Sequence, residues 1–378
     1  MKNPRPGDEV HSRRKFVRNM TLGAAYLGSA AASDLAAEVA ELTKAGAHVP
    51  GVAIMGLGLY ATGEIAPAFR HTRACRLAGV ITGSREKGES WSREHGFPSK
   101  NVWSYETMHQ IAENKDIDIV YVITPNGLHA EHVIAMAQAG KHVICEKPMA
   151  NTVAECDAML AACRKANTKL SVGYRLHYEP RHAELERLAR DRDFGILNTL
   201  SGEHSWTFRR RAWRIEKPLS GGGPLMDVGI YVIQAACRAA LSQPHAVTAR
   251  ELPKTRPELF DSVEESIEWT MEFPGDVTCR AASSYSRDAA FFRAEGDKGW
   301  IHMDPAYAYR GIKVSTSQGT PNYPEVPQQA LQMDHFAAEA LTGRESPVSG
   351  QMGRDHMRII ESIYQSAADG GRRVQIKP

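Results

Sequence analysis

The chain has 378 residues, enough for two domains and a terminal extension. Its 46 basic and 44 acidic side chains leave a formal net charge of +2, too weak a field to attract nucleic acid or an anionic membrane. The apolar fraction of 42% is that of a globular protein, with no run of about 18 apolar residues to span a bilayer, so small molecules are the expected partners, with neither nucleic acid nor a membrane span.

The N-terminus reads as an address. Ser12-Arg13-Arg14-Lys15-Phe16 precedes an Ala/Gly-rich, mildly apolar run from Met20 to Ala32. The order resembles a twin-arginine export signal over residues 1–32, with Ser29-Ala30-Ala31-Ala32 suited to cleavage, and predicts a periplasmic location. A basic, frayed helix start is the plain alternative. Residues 33–50 follow as an arm, with helix formers from Asp34 to Lys44 and breakers at Gly46 and Pro50.

Residues 51–170 carry the pattern of a dinucleotide-binding domain. An apolar run from Val52 leads into Gly56-x-Gly58-x-x-Ala61 and then a helical pattern, so bare glycine backbone and a helix N-terminus face the place of a pyrophosphate. The next strand, Cys75 to Thr82, ends without the acid that usually holds a ribose 2′-hydroxyl. Thr82-Gly83-Ser84-Arg85-Glu86-Lys87 instead offers hydroxyls and cations for a 2′-phosphate, which favours NADP over NAD. Further strands are expected at Asp118–Ile123, His142–Cys145 and Lys169–Gly173, with a helix around His129 to Ala139. Strands alternating with helices predict a doubly wound parallel sheet, with Thr124-Pro125-Asn126 and Glu146-Lys147-Pro148 at its ligand-facing edge. Residues 171–378 form the second domain, with strand-like stretches at Val263–Phe273 and Val277–Tyr285. Six scattered cysteines show no metal-ligand spacing and read as core thiols; no metal site is expected.

The glycine motif, Thr124-Pro125-Asn126-Gly127-Leu128-His129, Ala139-Gly140-Lys141-His142-Val143-Ile144-Cys145-Glu146-Lys147-Pro148, Gly173-Tyr174-Arg175-x-His177-Tyr178, Gly222-Gly223-Pro224-Leu225-Met226-Asp227-Val228-Gly229-Ile230-Tyr231 and Ala282-Ser283-Ser284-Tyr285-Ser286 occur in this order. Together they resemble the Gfo/Idh/MocA oxidoreductases, most of all their glucose-fructose oxidoreductase branch. The resemblance implies an N-terminal Rossmann domain followed by an α+β domain with a large, mostly antiparallel sheet. It also implies a homo-oligomer, dimer or tetramer, with a nicotinamide cofactor and sugar substrates.

Oxidising a sugar hydroxyl needs a group to take its proton, and carbonyl reduction needs the reverse. Lys147 follows a parallel strand and precedes a proline that holds it at the sheet edge. Asp227 and Tyr231, four apart, share a helical face, with Gly229 leaving room between them. The resemblance implies that Tyr231 is the proton donor and acceptor, that Lys147 lies close enough to lower its pKa, and that Asp227 orients a sugar hydroxyl or the lysine. The implied cofactor set is Gly56, Gly58, Leu59, Tyr60, Thr82, Gly83, Ser84, Lys87, Thr124, Pro125, Asn126, His129, Glu146, Lys147, Arg175, Trp213 and Arg214. Tyr178 and Tyr285 join Asp227 and Tyr231 on the substrate. Helix histidines such as His129 and His132 are more often packing residues, and Arg209-Arg210-Arg211 also reads as a solvated loop.

An exported enzyme has no pool of free nicotinamide cofactor, so a second sugar must reoxidise the bound one. The expected reaction is then aldose to lactone, coupled to reduction of another sugar to a polyol on tightly bound NADP. The alternatives are an ordinary NAD(P)-dependent sugar or polyol dehydrogenase, an exported NAD-dependent glycosidase of the same family, and a non-catalytic dinucleotide sensor.

Overall fold

A computed structural model describes residues 48–377; the expected export signal and all of the expected arm before His48 lie outside these residues. Six parallel strands form the first sheet: β1 (Gly51–Met55), β2 (Arg76–Ile81), β3 (Val102–Trp103), β4 (Ile119–Val122), β5 (His142–Cys145) and β6 (Leu170–Val172). Their order β3-β2-β1-β4-β5-β6 is the doubly wound one. β1 and β4 are buried throughout, which is why they read as continuous apolar runs.

Helices Arg85–His95, His129–Gln138 and Val153–Ala166 follow β2, β4 and β5. Local chemistry sets their ends. The Ser84 hydroxyl accepts from the Lys87 amide at 3.2 Å, and Gly96 closes that helix at φ +75°. Thr152 and Glu155 form a reciprocal capping box.

The second sheet has eight strands: β7 (Leu197–Ser205), β8 (Ala246–Glu251), β9 (Ser266–Glu272), β10 (Thr278–Ser284), β11 (Ala289–Gly296), β12 (Trp300–Met303), β13 (Val314–Thr316) and β14 (Val374–Gln375). The order is β13-β12-β11-β7-β10-β9-β8-β14. Only β7 and β10 pair in parallel; every other pair is antiparallel. The architecture expected from the sequence is thus present.

One departure concerns the division of the chain. Helix Gln328–Thr342, deep in the second half of the sequence, returns to the first sheet, and its Ala330, Met333, Phe336 and Ala337 share a core with Val52, Ile54 and Tyr121. The Asp334 carboxylate accepts from the Arg73 and Ala74 amides at 2.9 and 2.7 Å. All six cysteines are buried free thiols, and among the described residues no helix is long and apolar enough to cross a membrane.

Candidate active site

A cavity of about 1000 Å³ opens where the C-terminal ends of β1, β4 and β5 meet the second sheet. The first-domain wall is Gly58, Leu59, Tyr60, Ile123, Thr124, Asn126, Glu146 and Lys147. Opposite stand Arg175, residues 204 and 206–210, residues 212–214, Asp227, Val228, Tyr231 and residues 307–309.

The glycines have separate tasks. Gly56 sits at φ +94°, and a Cβ there would lie 2.8 Å from the Ile123 carbonyl oxygen, so the chain can turn only with glycine. Gly58 faces open space within the cavity wall, with no atom inside 4 Å of where a Cβ would stand. Bare backbone with room before it, at the end of a parallel sheet, fits a dinucleotide pyrophosphate. Leu59 is 84% exposed beside it.

The end of β2 lies beyond the cavity. Thr82, Gly83 and Ser84 form the turn there, with the Ser84 amide donating to the Thr82 hydroxyl at 3.3 Å. The Lys87 ammonium reaches back to the Leu57 carbonyl, while Arg85 pairs outward with Glu89 at 2.8 Å. No carboxylate stands at position 82, so the strand end keeps a hydroxyl and a nearby cation, as a 2′-phosphate requires.

Pro125 and His129 do not line the cavity. The two His129 ring nitrogens face the Thr124 and Pro148 carbonyl oxygens at 2.8 and 3.0 Å, so this buried ring ties the loop after β4 to the turn after β5. Burial lowers its pKa to about 4 against the pull of those carbonyls. His129 positions the wall from behind.

The Lys147 ammonium donates to the Asp227 backbone oxygen at 2.5 Å, lies 3.9 Å from the Asp227 carboxylate, and sits 4.8 Å from the Tyr231 ring centroid. The sequence separation of 80 between Lys147 and Asp227 is closed by the approach of the two sheets. Asp227 and Tyr231 both face the cavity, but the turn carrying Asp227 is π-helical over Leu225–Gly229, and the α-helix begins at Ile230. Gly229 does not make room for substrate. A Cβ there would meet the Ser283 hydroxyl at 2.7 Å and Trp269 at 3.1 Å, so the glycine admits β9 and β10.

Asp227 is the electrostatic hub. Burial pushes its carboxyl up, but Arg214, Lys147 and hydrogen bonds from Tyr285 and Trp206 together outweigh that, and the net shift is downward. Trp206 Nε1 and the Tyr285 hydroxyl donate to Oδ2 at 3.2 and 3.0 Å, and Arg214 Nε to Oδ1 at 3.4 Å. Tyr285, fully buried, therefore acts behind Asp227 and is not on the cavity surface.

Two further expectations change. Tyr178 lies outside the cavity, its ring packed against His177 and His335. Arg175 lines the wall, but its guanidinium donates to the Tyr307 and Ala308 carbonyls at 2.6 and 3.1 Å and covers the Tyr309 ring at 4.2 Å, so it braces the facing segment. Arg209 and Arg210 line the cavity, whereas Arg211 turns to Asp261 at 3.0 Å. Trp213 and Arg214 line it as expected, the guanidinium 4.6 Å from the indole.

Sequence reasoning missed His204, Trp206, Tyr307 and Tyr309. Each pair is two residues apart, the spacing that puts extended-chain side chains on one face. His204 stacks on Tyr307 at 4.6 Å and stands 5.4 Å from Tyr231; burial holds its pKa at about 3.

Residues 51–174 match the family described as oxidoreductase family, NAD-binding Rossmann fold, and residues 182–302 match the GFO/IDH/MocA C-terminal domain. The chain belongs to the Gfo/Idh/MocA family. It is thus an oxidoreductase. Among solved structures similar to this Gfo/Idh/MocA enzyme is an aldose-aldose oxidoreductase from Caulobacter crescentus complexed with glycerol, 41% identical with a TM-score of 0.83 over 87% of this chain and 100% of that one. A levoglucosan dehydrogenase in complex with NADH and levoglucosan shares the fold at 21% identity and a TM-score of 0.74, over 87% of this chain and 100% of that one. A D-xylose 1-dehydrogenase [NADP(+)] from Haloarcula marismortui is 26% identical over 83% of this chain and 90% of its own length.

Proposed function

We propose that this Gfo/Idh/MocA enzyme is an NADP-dependent sugar oxidoreductase of the glucose-fructose or aldose-aldose type. It oxidises an aldose to a lactone and reduces a second sugar to a polyol on one tightly bound cofactor. The observation that carries the reading is the meeting of Lys147, from the wall that carries the glycine turn, with Asp227 and Tyr231 of the opposite wall. The likeness to the Caulobacter enzyme supports the sugar class and the two-sugar cycle. The likeness to the Haloarcula dehydrogenase, together with Thr82 and Lys87, supports NADP.

Gly56, Gly58, Leu59 and Tyr60 would hold the pyrophosphate, Thr82, Gly83, Ser84 and Lys87 the 2′-phosphate, and Thr124, Asn126, Glu146, Lys147, Trp213 and Arg214 the remainder. When bound, the nicotinamide supplies the hydride acceptor and donor. Oxidation removes a hydride and a proton from the sugar. As the phenolate, Tyr231 would take the proton in this direction and, as the phenol so formed, return it in the other, with Lys147 and Arg175 beside its ring to offset the negative charge. The Lys147 ammonium grips the sugar oxygen, and Asp227 keeps that ammonium in place. Tyr307, Trp206 and Trp213 offer aromatic surface to a sugar ring.

Residues Ser12 to Ala32 support export by the twin-arginine route to the periplasm, where a self-contained redox cycle needs no cofactor pool. The family expectation of a homo-oligomer is part of the same proposal, and analytical ultracentrifugation reads it directly.

The test is to purify the protein, remove free nucleotide by gel filtration, denature it and identify what is released. Stoichiometric NADP with turnover of sugar pairs supports the proposal. Protein that emerges empty and requires added NADP supports the second reading, an ordinary sugar dehydrogenase with exchangeable cofactor, which the Haloarcula likeness favours.

A further inference from the structure

Glu146 is a buried carboxylate that faces the cavity, yet only one of its partners lies in its own loop. The Tyr121 hydroxyl, on β4, donates to Glu146 Oε1 at 2.6 Å. The Gln332 amide, on the returning helix Gln328–Thr342, donates to that tyrosine oxygen at 2.7 Å. Glu146 Oε2 accepts from the Lys147 backbone amide at 3.2 Å. Its back is against glycine: a Cβ on Gly173 would lie 2.5 Å from Oε1 and 3.0 Å from Oε2, so the carboxyl fills space that only glycine leaves. All three members of the chain are almost wholly shielded from water, where a hydrogen bond to a charged group is strong and an unmade one is costly.

We infer that Gln332 and Tyr121 are positioning residues, which reach from the distant C-terminal helix through the first sheet to fix the Glu146 carboxylate beside Lys147 at the cofactor end of the cavity. The inference rests on the reading of this cavity as the redox site. It explains why helix Gln328–Thr342 leaves the second half of the chain to pack on the first sheet: besides its apolar face it delivers an amide to the active-site wall. Neither Tyr121 nor Gln332 touches the cavity, so neither is catalytic.

The polarity of the chain sets the direction of its effect. Burial raises the Glu146 carboxyl, while the Tyr121 hydrogen bond, the Lys147 charge and amide, and Arg175 pull it down. The other titratable groups facing it are Tyr60, Tyr174, Tyr309 and Cys145. Removing the hydroxyl that donates to Glu146 therefore favours the protonated acid. Removing the amide behind that hydroxyl weakens its donation and acts in the same direction, more mildly.

The experiment uses the full chain with Tyr121→Phe, which deletes one oxygen and keeps the ring, and Gln332→Met, which keeps volume. NADP affinity is read by fluorescence titration on protein stripped of nucleotide, and kcat/KM is followed against pH with an aldose. The expected result is that the acid limb of the Tyr121→Phe profile moves up by roughly one pH unit, with a smaller move in Gln332→Met and NADP affinity weakened by up to about tenfold. A lower melting temperature with profile and affinity both unmoved would make the chain a structural strut and overturn the inference. If the unaltered protein turns over no sugar, the functional reading fails separately; the NADP affinities of the two variants, compared at pH 6 and pH 8, then decide the positioning role alone.

Discussion

The Lys147 ammonium lies 2.5 Å from the backbone oxygen of Asp227 and only 3.9 Å from its carboxylate, so one lysine at the end of a parallel strand is latched to the π-helical turn of the other domain. The contact joins the two walls of the cavity and holds the Lys147 ammonium 4.8 Å from the Tyr231 ring centroid.

Tyr231→Phe keeps the ring that packs near His204 and Tyr307 and removes only the oxygen proposed to handle the proton. Turnover is expected to fall by about 10²–10⁴, the range for loss of a general acid–base group, with melting temperature and NADP content unchanged. Near-normal turnover in a stopped-flow assay would remove Tyr231 from the chemistry.

Asp227→Asn keeps the shape of the hub but leaves Lys147 and Arg214 facing no charge. The expected loss is about 1–2 kcal/mol of stability, together with most activity, since these pairs are only partly buried and solvent screens part of their attraction. Tyr285→Phe, which removes one donor to the same carboxylate, should cost about half of that. Urea unfolding of both variants checks the ranking, which fails if Tyr285→Phe is the more damaging.

Gly229→Ala is a steric test of the sheet contact. The added methyl group meets Ser283 at 2.7 Å, and the expected destabilisation is about 1–3 kcal/mol without loss of bound NADP. A calorimetric melting temperature equal to that of the unaltered protein would contradict the packing described.

Acid should unfold the protein through its buried histidines. Burial holds His129, His335 and His356 near a pKa of about 4, and His182 and His204 near about 3. Above the unfolded value of about 6.5 both states are neutral and nothing is gained or lost. Below it the unfolded chain takes protons that the native rings refuse, so stability falls with pH by up to about 1.4 kcal/mol per unit for each histidine, down towards pH 4. Glu339, raised by burial to about 7, runs the opposite way and offsets one of them. Urea midpoints at pH 7.5, 6 and 5 should therefore decline steeply; a flat series would contradict the burial of these rings.

Lys87→Ala tests cofactor choice. Lys87 stands beside the acid-free end of β2, and removing its charge should lower NADP affinity roughly tenfold while leaving NAD affinity nearly unchanged. Equal effects on the two nucleotides, measured by titration, would place the 2′-phosphate elsewhere.

Much of the site was legible because its residues sit where chain geometry is local. Glycine at Gly56, a proline after Lys147 and an apolar run before each loop mark strand ends, and strand ends of a parallel sheet face the ligand whatever else packs around them. Tyr178 was misplaced because its surroundings are tertiary: its ring packs against His335, on the returning helix Gln328–Thr342, which its neighbours in sequence do not reveal. His204, Trp206, Tyr307 and Tyr309 carry no motif; their two-residue spacing speaks only once the strand or segment bearing them is known to face the cavity. Gln332 gave no sign, since a glutamine on a helix is ordinarily solvated.

The sequence by itself determined the alternation of strands and helices, the glycine turn and the acid-free end of β2, because periodicity and turn chemistry act over a few residues, while the family resemblance singled out Lys147, Asp227 and Tyr231. Only the tertiary structure decided that helix Gln328–Thr342 serves the first sheet, that Gly229 answers to β9 and β10, that His129 and Tyr285 act from behind the wall, and that Lys147 is latched to a carbonyl 80 residues away. These depend on which buried surfaces meet, and the burial of apolar area that drives the meeting has no direction along the chain.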